Sequence, residues 1–269
     1  MSDVSGTPET QVHTTTPAPG VLQIVLDGPV RRNALGNGAI RGLDDAVHEA
    51  ADDEVRAVVL TGTGGHFCAG ADLKAPRMPG RGVAGPAKRL GLLQGTVDRL
   101  HRLPKPVLAA VEGAAVGIGW SYALACDMTV AGEGAFFASP FVERGLVPDG
   151  GCAWFLAQAV GTRRAAELTM LGERLPAARA EALGLVNRVV PDGSALQEAL
   201  ELAVRLAAGA PDALMLTKRM LTAAGNSPSL RDYLDQEWLA AALDLTGPDP
   251  VEGVAAFRER RAPDFSGHR

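Results

Sequence analysis

The chain has 269 residues, 46% of them hydrophobic, 21% charged and only 4% aromatic. That is ordinary for a globular protein whose core is built mostly from Ala, Val and Leu. The net charge of −5 argues against a general nucleic-acid surface.

The first residues, "MSDVSGTPETQVHTTTPAPG", contain neither a basic nor an apolar block. They read as a disordered lead-in over 1–19, not as a signal peptide. "VLQIVLD" (21–27) alternates like a strand, and 37–53 has helical spacing, with Ile40, Leu43 and Val47 on one face. "VRAVVLTG" (55–62) reads as a buried strand that runs into the glycine-rich loop "TGGHFCAGADLK" (63–74). Residues 75–86 hold three prolines and three glycines and predict a surface loop. A basic helix follows to about 103. Then come a strand at 105–113, a glycine-laden turn into a buried helix at 115–127, and the short strands "MTVAG" and "AFFAS". Helices dominate thereafter, at 151–159, 162–171, 176–183, 195–208, 211–224, 229–243 and 250–261, interrupted by the strand "LVNRVV" (185–190). The alternation predicts an α/β fold with a helical C-terminal region.

Three cysteines, Cys68, Cys126 and Cys152, have no CxxC spacing. They suit a reducing cytoplasm rather than a disulfide framework or a zinc site. The most apolar stretch, 106–132, is broken by Glu112, Asp127 and several glycines, so no membrane span is expected. Residues 73–105 carry Lys74, Arg77, Arg81, Lys88, Arg89, Arg99, Arg102 and Lys105 against the single acid Asp98. Such a segment suits a small phosphorylated ligand or a solvated helix face.

Two glycine-rich loops, "GGHFCAGADL" and "EGAAVGIGWS", each follow a strand. Loops of this kind can expose backbone N–H groups, and two that converge would make an oxyanion hole. Two rival motifs fail. "GTGGHF" (62–67) lacks the third glycine of a dinucleotide fingerprint. "GWSYA" (119–123) lacks the closing glycine of a hydrolase elbow around Ser121, and His13, His48, His66, His101 and His268 stand in no hydrolase motif. Asp149, in "GLVPDGG" ahead of an apolar run, is open to two readings: a helix cap or a proton carrier.

The blocks "GPVRRNAL", "HFCAGADL", "KPVLAAVEGAAVGIGWSYALACDMTVAG", "GLVPDGG", "EALGLVNRVV" and "FRERRAPDF", in that order over about residues 20–265, resemble the crotonase superfamily, also called the enoyl-CoA hydratase/isomerase family. The resemblance implies a crotonase-like spiral of ββα units over 20–200 and a helical region over 201–269 that mediates trimer contacts. It further implies acyl-CoA thioester chemistry, as a homotrimer or dimer of trimers. By position, Ala71 and Ile118 would supply the two oxyanion-hole N–H groups. Gly117, Gly119, Trp120, Ser121 and Phe141 would border the acyl pocket. Arg31, Ala34, Ala69, Asp72, Leu73 and Lys74 would form the CoA loops, with Asp72 more a loop tie than a reactant. No metal or redox cofactor is implied, because CoA is part of the substrate.

The departures carry information. The two glutamates of the family's hydratases correspond here to Ser121 and Phe141. Glu143 is displaced from the second position and reads as a surface acid. Asp149, by contrast, matches the acid of several family isomerases. The resemblance thus implies an isomerase with one aspartate base. A hydratase, an aspartate-nucleophile dehalogenase and a catalytically silent acyl-CoA-binding protein stand as alternatives.

Overall fold

A computed structural model of the chain describes residues 8–76 and 78–267. Residues 1–7, the larger part of the expected lead-in before Glu9, Arg77 of the basic segment and His268 lie outside the described residues.

The main sheet has six strands in the order β1-β2-β3-β4-β6-β9: β1 (Gln11–Ala18), β2 (Val21–Asp27), β3 (Ala57–Gly62), β4 (Val107–Val111), β6 (Met128–Gly132) and β9 (Arg188–Val190). β1 pairs antiparallel with β2, and every other pairing is parallel. A second, three-stranded sheet has the order β5-β7-β8, from β5 (Ala114–Val116), β7 (Phe136–Ala138) and β8 (Leu175–Pro176). Two successive units therefore give one strand to each sheet and then a helix. They are β4–β5 with α3 (Ile118–Ala125), and β6–β7 with α4 (Cys152–Met170). This is the expected spiral of ββα units.

Parallel strands covered on both faces read as continuous apolar runs, and all of β4 (VLAAV) is buried. Alternate residues still divide between the faces. Val58 and Leu60 join the core under α1 (Asn37–Glu49), whereas Ala57 and Val59 pack on the alanine stripe Ala195, Ala199, Ala203 and Ala207 of α6 (Ala195–Ala207). The remaining helices are α2 (Ala84–Arg102), α5 (Ala177–Ala182), α7 (Pro211–Asn226), α8 (Leu230–Asp244) and α9 (Pro248–Glu259). In α4, Gly161 (φ 74°, ψ 160°) breaks the helix where two separate helices were expected. No helix among the described residues is long and apolar enough to cross a membrane.

The expected disorder of 1–19 is corrected for residues 11–18, which form β1. Ala18 pairs with Val21 across Pro19-Gly20, with Gly20 at φ +72°. That is a tight hairpin whose proline presets φ and whose glycine accepts the left-handed turn. β1 is an edge strand of polar residues, so it lacks the apolar alternation by which a strand is recognised.

Candidate active site

Two bridges organise the site, one tying the "RRNAL" segment to the first glycine loop and one tying the first glycine loop to the second. Leu35 bridges Ala71, and Cys68 bridges Ala115 beside β5. Asn33 fixes this arrangement from beneath. Its buried amide donates to the carbonyls of Thr63, His66 and Phe67, and its Oδ1 accepts from the Gly28 N–H. Asn33 lies in the "RRNAL" block, but nothing in its spacing announces that role.

At the Leu35 bridge, the Leu35 N–H donates to the Gly70 carbonyl and the Asp72 N–H to the Leu35 carbonyl. Neighbouring residues of an extended segment present their N–H groups to opposite sides, so the Ala71 N–H turns away from Leu35. Gly70 (φ +97°) brings this segment against β5: a Cβ built there would lie 2.8 Å from the Val116 carbonyl oxygen. Gly117 follows with φ 58° and ψ −126°, a conformation closed to side-chain-bearing residues, and starts α3 at Ile118. The Ile118 N–H belongs to a first helical turn, where no carbonyl four residues back is available. Ala71 and Ile118 line one cavity of about 560 Å³.

The cavity wall also includes Ala69, Asp72, Leu73, Gly117, Phe141 and Asp149 from the sequence-predicted set. Arg31, Ala34 and Lys74 stand behind it. Arg31 is not a free surface cation, because it forms an ion pair with Asp72 at 2.5 Å. The other Asp72 oxygen accepts the Lys74 N–H at 2.9 Å, and the Ala34 carbonyl accepts the Thr10 hydroxyl at 2.7 Å. Asp72, 8% exposed, thus ties its own loop.

Three expected pocket residues are corrected. Trp120 is 1% exposed and packs in the core against Phe137, ring centroids 5.8 Å apart. Gly119 lies on Cys68, where an added Cβ would come within 2.6 Å of the carbonyl oxygen. Ser121 is sealed at 0% exposure and its hydroxyl donates to the Asp149 carbonyl at 3.1 Å. In a helix each step turns about 100°. Positions 117 and 118 line the cavity, and the next two steps carry Gly119 and Trp120 inward. Ser121, three steps from Ile118 and on its face, is instead covered by the Asp149–Gly150 turn.

Asp149 is not a side-chain cap. The N-cap of α4 is Gly151, with no side-chain capping bond, and only the Asp149 carbonyl accepts from the Cys152 N–H. Its carboxylate oxygen Oδ1 is buried without a hydrogen-bond partner among the described residues. Burial raises its pKa above the ordinary carboxylate value of 3.8, with the Arg89 charge pulling the other way. Gly150 (φ +59°) seats the acid's loop on α3, its missing Cβ falling 2.2 Å from Ile118 Cδ1 and 3.0 Å from Ser121 Cβ. Cys68 and Cys152 are buried nearby, and burial pushes their thiols up to about 12 and about 11. Neither offers a thiolate at neutral pH.

Two cations on the cavity wall, Arg89 and Arg144, were not singled out in the sequence; Arg144 donates to the Pro140 carbonyl, and Arg89 is one of eight cations in the basic segment. The structure sorts these cations. Arg99 pairs with Asp44, Arg102 with Asp98, and Lys105 donates to the carbonyls of Ala50 and Asp52. Arg89 alone of these four lines the cavity. Glu143 is an exposed acid beside Arg144 and stands outside the cavity wall.

A cavity with two available backbone N–H groups and an unpaired buried carboxylate is suited to stabilising an oxyanion while a proton moves. The enoyl-CoA hydratase/isomerase family profile matches residues 17–268, and the chain belongs to that family, the crotonase superfamily. It is 36% identical over 251 residues to an enoyl-CoA hydratase, EchA19, of Mycobacterium tuberculosis, covering 91% of this chain and 92% of the relative. It is 35% identical over 254 residues to the 1,2-epoxyphenylacetyl-CoA isomerase of Escherichia coli, covering 92% and 95%. The fold superposes on the crystal structure of an enoyl-CoA hydratase from Polaromonas sp. JS666 with a TM-score of 0.87 and 39% identity, covering 94% of this chain and 99% of that one. Relatives at similar identity thus carry both hydratase and isomerase names.

Proposed function

We propose that the protein is an acyl-CoA isomerase that shifts a double bond, or rearranges a ring, in a CoA thioester with Asp149 as its single base. One observation carries this reading. Of the two carboxylates on the cavity wall, Asp72 is consumed by Arg31 and the Lys74 N–H, while Asp149 keeps a buried, unpartnered oxygen.

The thioester oxygen accepts from the N–H groups of Ala71 and Ile118. Each such donor is worth roughly 10²–10³ in rate when charge develops on that oxygen. In a 3-enoyl-CoA, Asp149 takes a proton from C2 and the C–H electron pair enters a dienolate that ends on the thioester oxygen. The same carboxyl group returns the proton to C4, leaving the double bond between C2 and C3. No atom is gained or lost. Hydration needs one group to activate water and another to deliver a proton. Ser121, sealed under the Asp149 loop, and the apolar Phe141 provide neither.

The test is to incubate the protein separately with 3-hexenoyl-CoA and 2-hexenoyl-CoA in deuterated water and follow both by NMR. Migration with little hydration is the expected result. Robust hydration of the 2-enoyl ester without migration would sink the isomerase reading in favour of a hydratase.

The proposal extends to assembly as a homotrimer or dimer of trimers in the cytoplasm. The C-terminal helices present Leu221, Leu234, Trp238, Leu239 and Phe257 to solvent, Phe257 at 84% exposure, which suits a face that a second subunit covers. Light scattering at micromolar concentration reads the subunit number.

A further inference from the structure

Arg89 extends from α2 into an otherwise largely apolar region of the cavity, among Met78, Leu90, Leu93, Phe141 and Leu146. Its Nη2 donates to the Leu35 carbonyl at 3.1 Å, and Leu35 is the bridge partner of Ala71. The guanidinium is therefore moored beside a proposed oxyanion donor. Its Nε–H has no acceptor among the described residues and is buried away from the cavity, so the rest of the guanidinium meets whatever the cavity holds. On the same wall, Asp149 Oδ1 is also buried and unpartnered. The two side chains make no ion pair with each other among the described contacts, although they lie close enough for the cation to act on the acid's titration.

Leaving a charged hydrogen-bonding group without water or an acceptor is costly. A hydrocarbon acyl chain in this cavity would strip water from the part of the Arg89 guanidinium that faces it. An acyl chain with an oxygen near Arg89 supplies an acceptor instead. Arg144 is a second cation on the wall and Asp149 an acid, so the acceptor can be neutral or anionic.

We propose that Arg89 is the specificity-determining residue of this cavity, and that the acyl group it selects bears an oxygen function that accepts from the cavity-facing part of the Arg89 guanidinium. The chemical class is an oxygen-substituted acyl-CoA, a keto acid or a dicarboxylic half-thioester, rather than a plain fatty acyl-CoA. The inference rests on the cavity holding the acyl thioester, as the proposed function requires, but not on the direction or existence of the isomerisation.

The test compares binding of three saturated six-carbon esters to the full chain by calorimetry: hexanoyl-CoA, 5-oxohexanoyl-CoA and adipoyl-CoA. At least one oxygenated ester binds tighter than hexanoyl-CoA by roughly 10- to 100-fold, the span of a hydrogen bond to a charged group. A keto preference identifies a neutral acceptor, and an adipoyl preference an anionic one. In Arg89→Met the ratio collapses to within about threefold of one. Equal or tighter binding of hexanoyl-CoA by the parent protein overturns the inference without any variant, so misfolding of Arg89→Met cannot shield it. Preference retained in folded Arg89→Met overturns it too. A clear oxygen preference in a protein that moves no double bond leaves this inference standing and removes the isomerase reading. Isomerisation of 3-hexenoyl-CoA with no oxygen preference does the reverse.

Discussion

Two aspartates share one cavity wall and are held in opposite ways. Asp72 closes an ion pair with Arg31 and accepts a backbone N–H of its own loop. Asp149 has only its backbone carbonyl engaged, by Cys152 and Ser121, and its carboxylate is buried with an oxygen unmet. The first environment rewards the charge and fixes a loop. The second penalises the charge and leaves it reactive. Identical side chains on one cavity wall are thus assigned structure or chemistry by their partners.

The largest effect separates them by rate. Asp149→Asn should cut turnover by roughly 10²–10⁴, the span for losing a general base. Because no helix N–H depends on the carboxylate, the melting temperature should hold or rise. Near-normal turnover in that variant would show that the base lies elsewhere.

Asp72→Asn should show the reverse pattern. Replacing the carboxylate that pairs with Arg31 and accepts the Lys74 N–H should cost about 1.5–3 kcal/mol, the range for hydrogen bonds to charged groups. Thermal melts should fall, and KM for the thioester should rise more than kcat falls. Equal stability of the two variants would erase the contrast.

Ser121→Ala tests the one side-chain bond that steadies the Asp149 backbone. Its loss should cost about 1 kcal/mol, with kcat reduced and KM nearly unchanged. A larger change in KM than in kcat would show instead that the hydroxyl matters to binding.

The smallest effect is on stability against pH. The folded-state pKa of Asp149 is raised, so the folded protein holds this proton more tightly than the unfolded chain. Its contribution to stability is most favourable at low pH, diminishes as pH rises above the ordinary value of 3.8 and reaches its minimum above the folded pKa. The melting-temperature advantage of Asp149→Asn should therefore widen between pH 4.5 and pH 7. The rate of the parent protein should rise with pH through the same elevated pKa. An advantage that stays flat with pH would mean the acid is solvated.

The alternation of strand and helix was legible because β3 and β4 are short apolar runs flanked by glycine-rich turns and α1 has a clear apolar face. The spiral was implied by the resemblance of the six sequence blocks to the crotonase superfamily. Ala71, Ile118 and Asp149 were singled out by their positions in those blocks, and the structure brings all three to one cavity wall. Trp120 and Ser121 were placed in the pocket because they follow Ile118 in sequence: two helical steps turn Trp120 into the core, and the Asp149–Gly150 turn, distant in sequence, covers Ser121. Arg89 could not be picked out among eight cations, since only the fold shows that its neighbours Arg99, Arg102 and Lys105 are spoken for by Asp44, Asp98 and backbone carbonyls. β1 was hidden because its pairing with β2 is made by backbone groups that any sequence carries.

Gly150 bears on how such a cavity changes under mutation. A methyl group there would fall 2.2 Å from Ile118 Cδ1, so positions 118 and 150, far apart in sequence, are epistatic. Shortening 118 would relieve that contact but leave Ser121 Cβ 3.0 Å away and the positive φ against an alanine at 150. Shortening Ile118 would also open room beside a proposed oxyanion donor while leaving its N–H in the backbone. Room gained at 118 is thus room that a side chain at 150 would compete to fill.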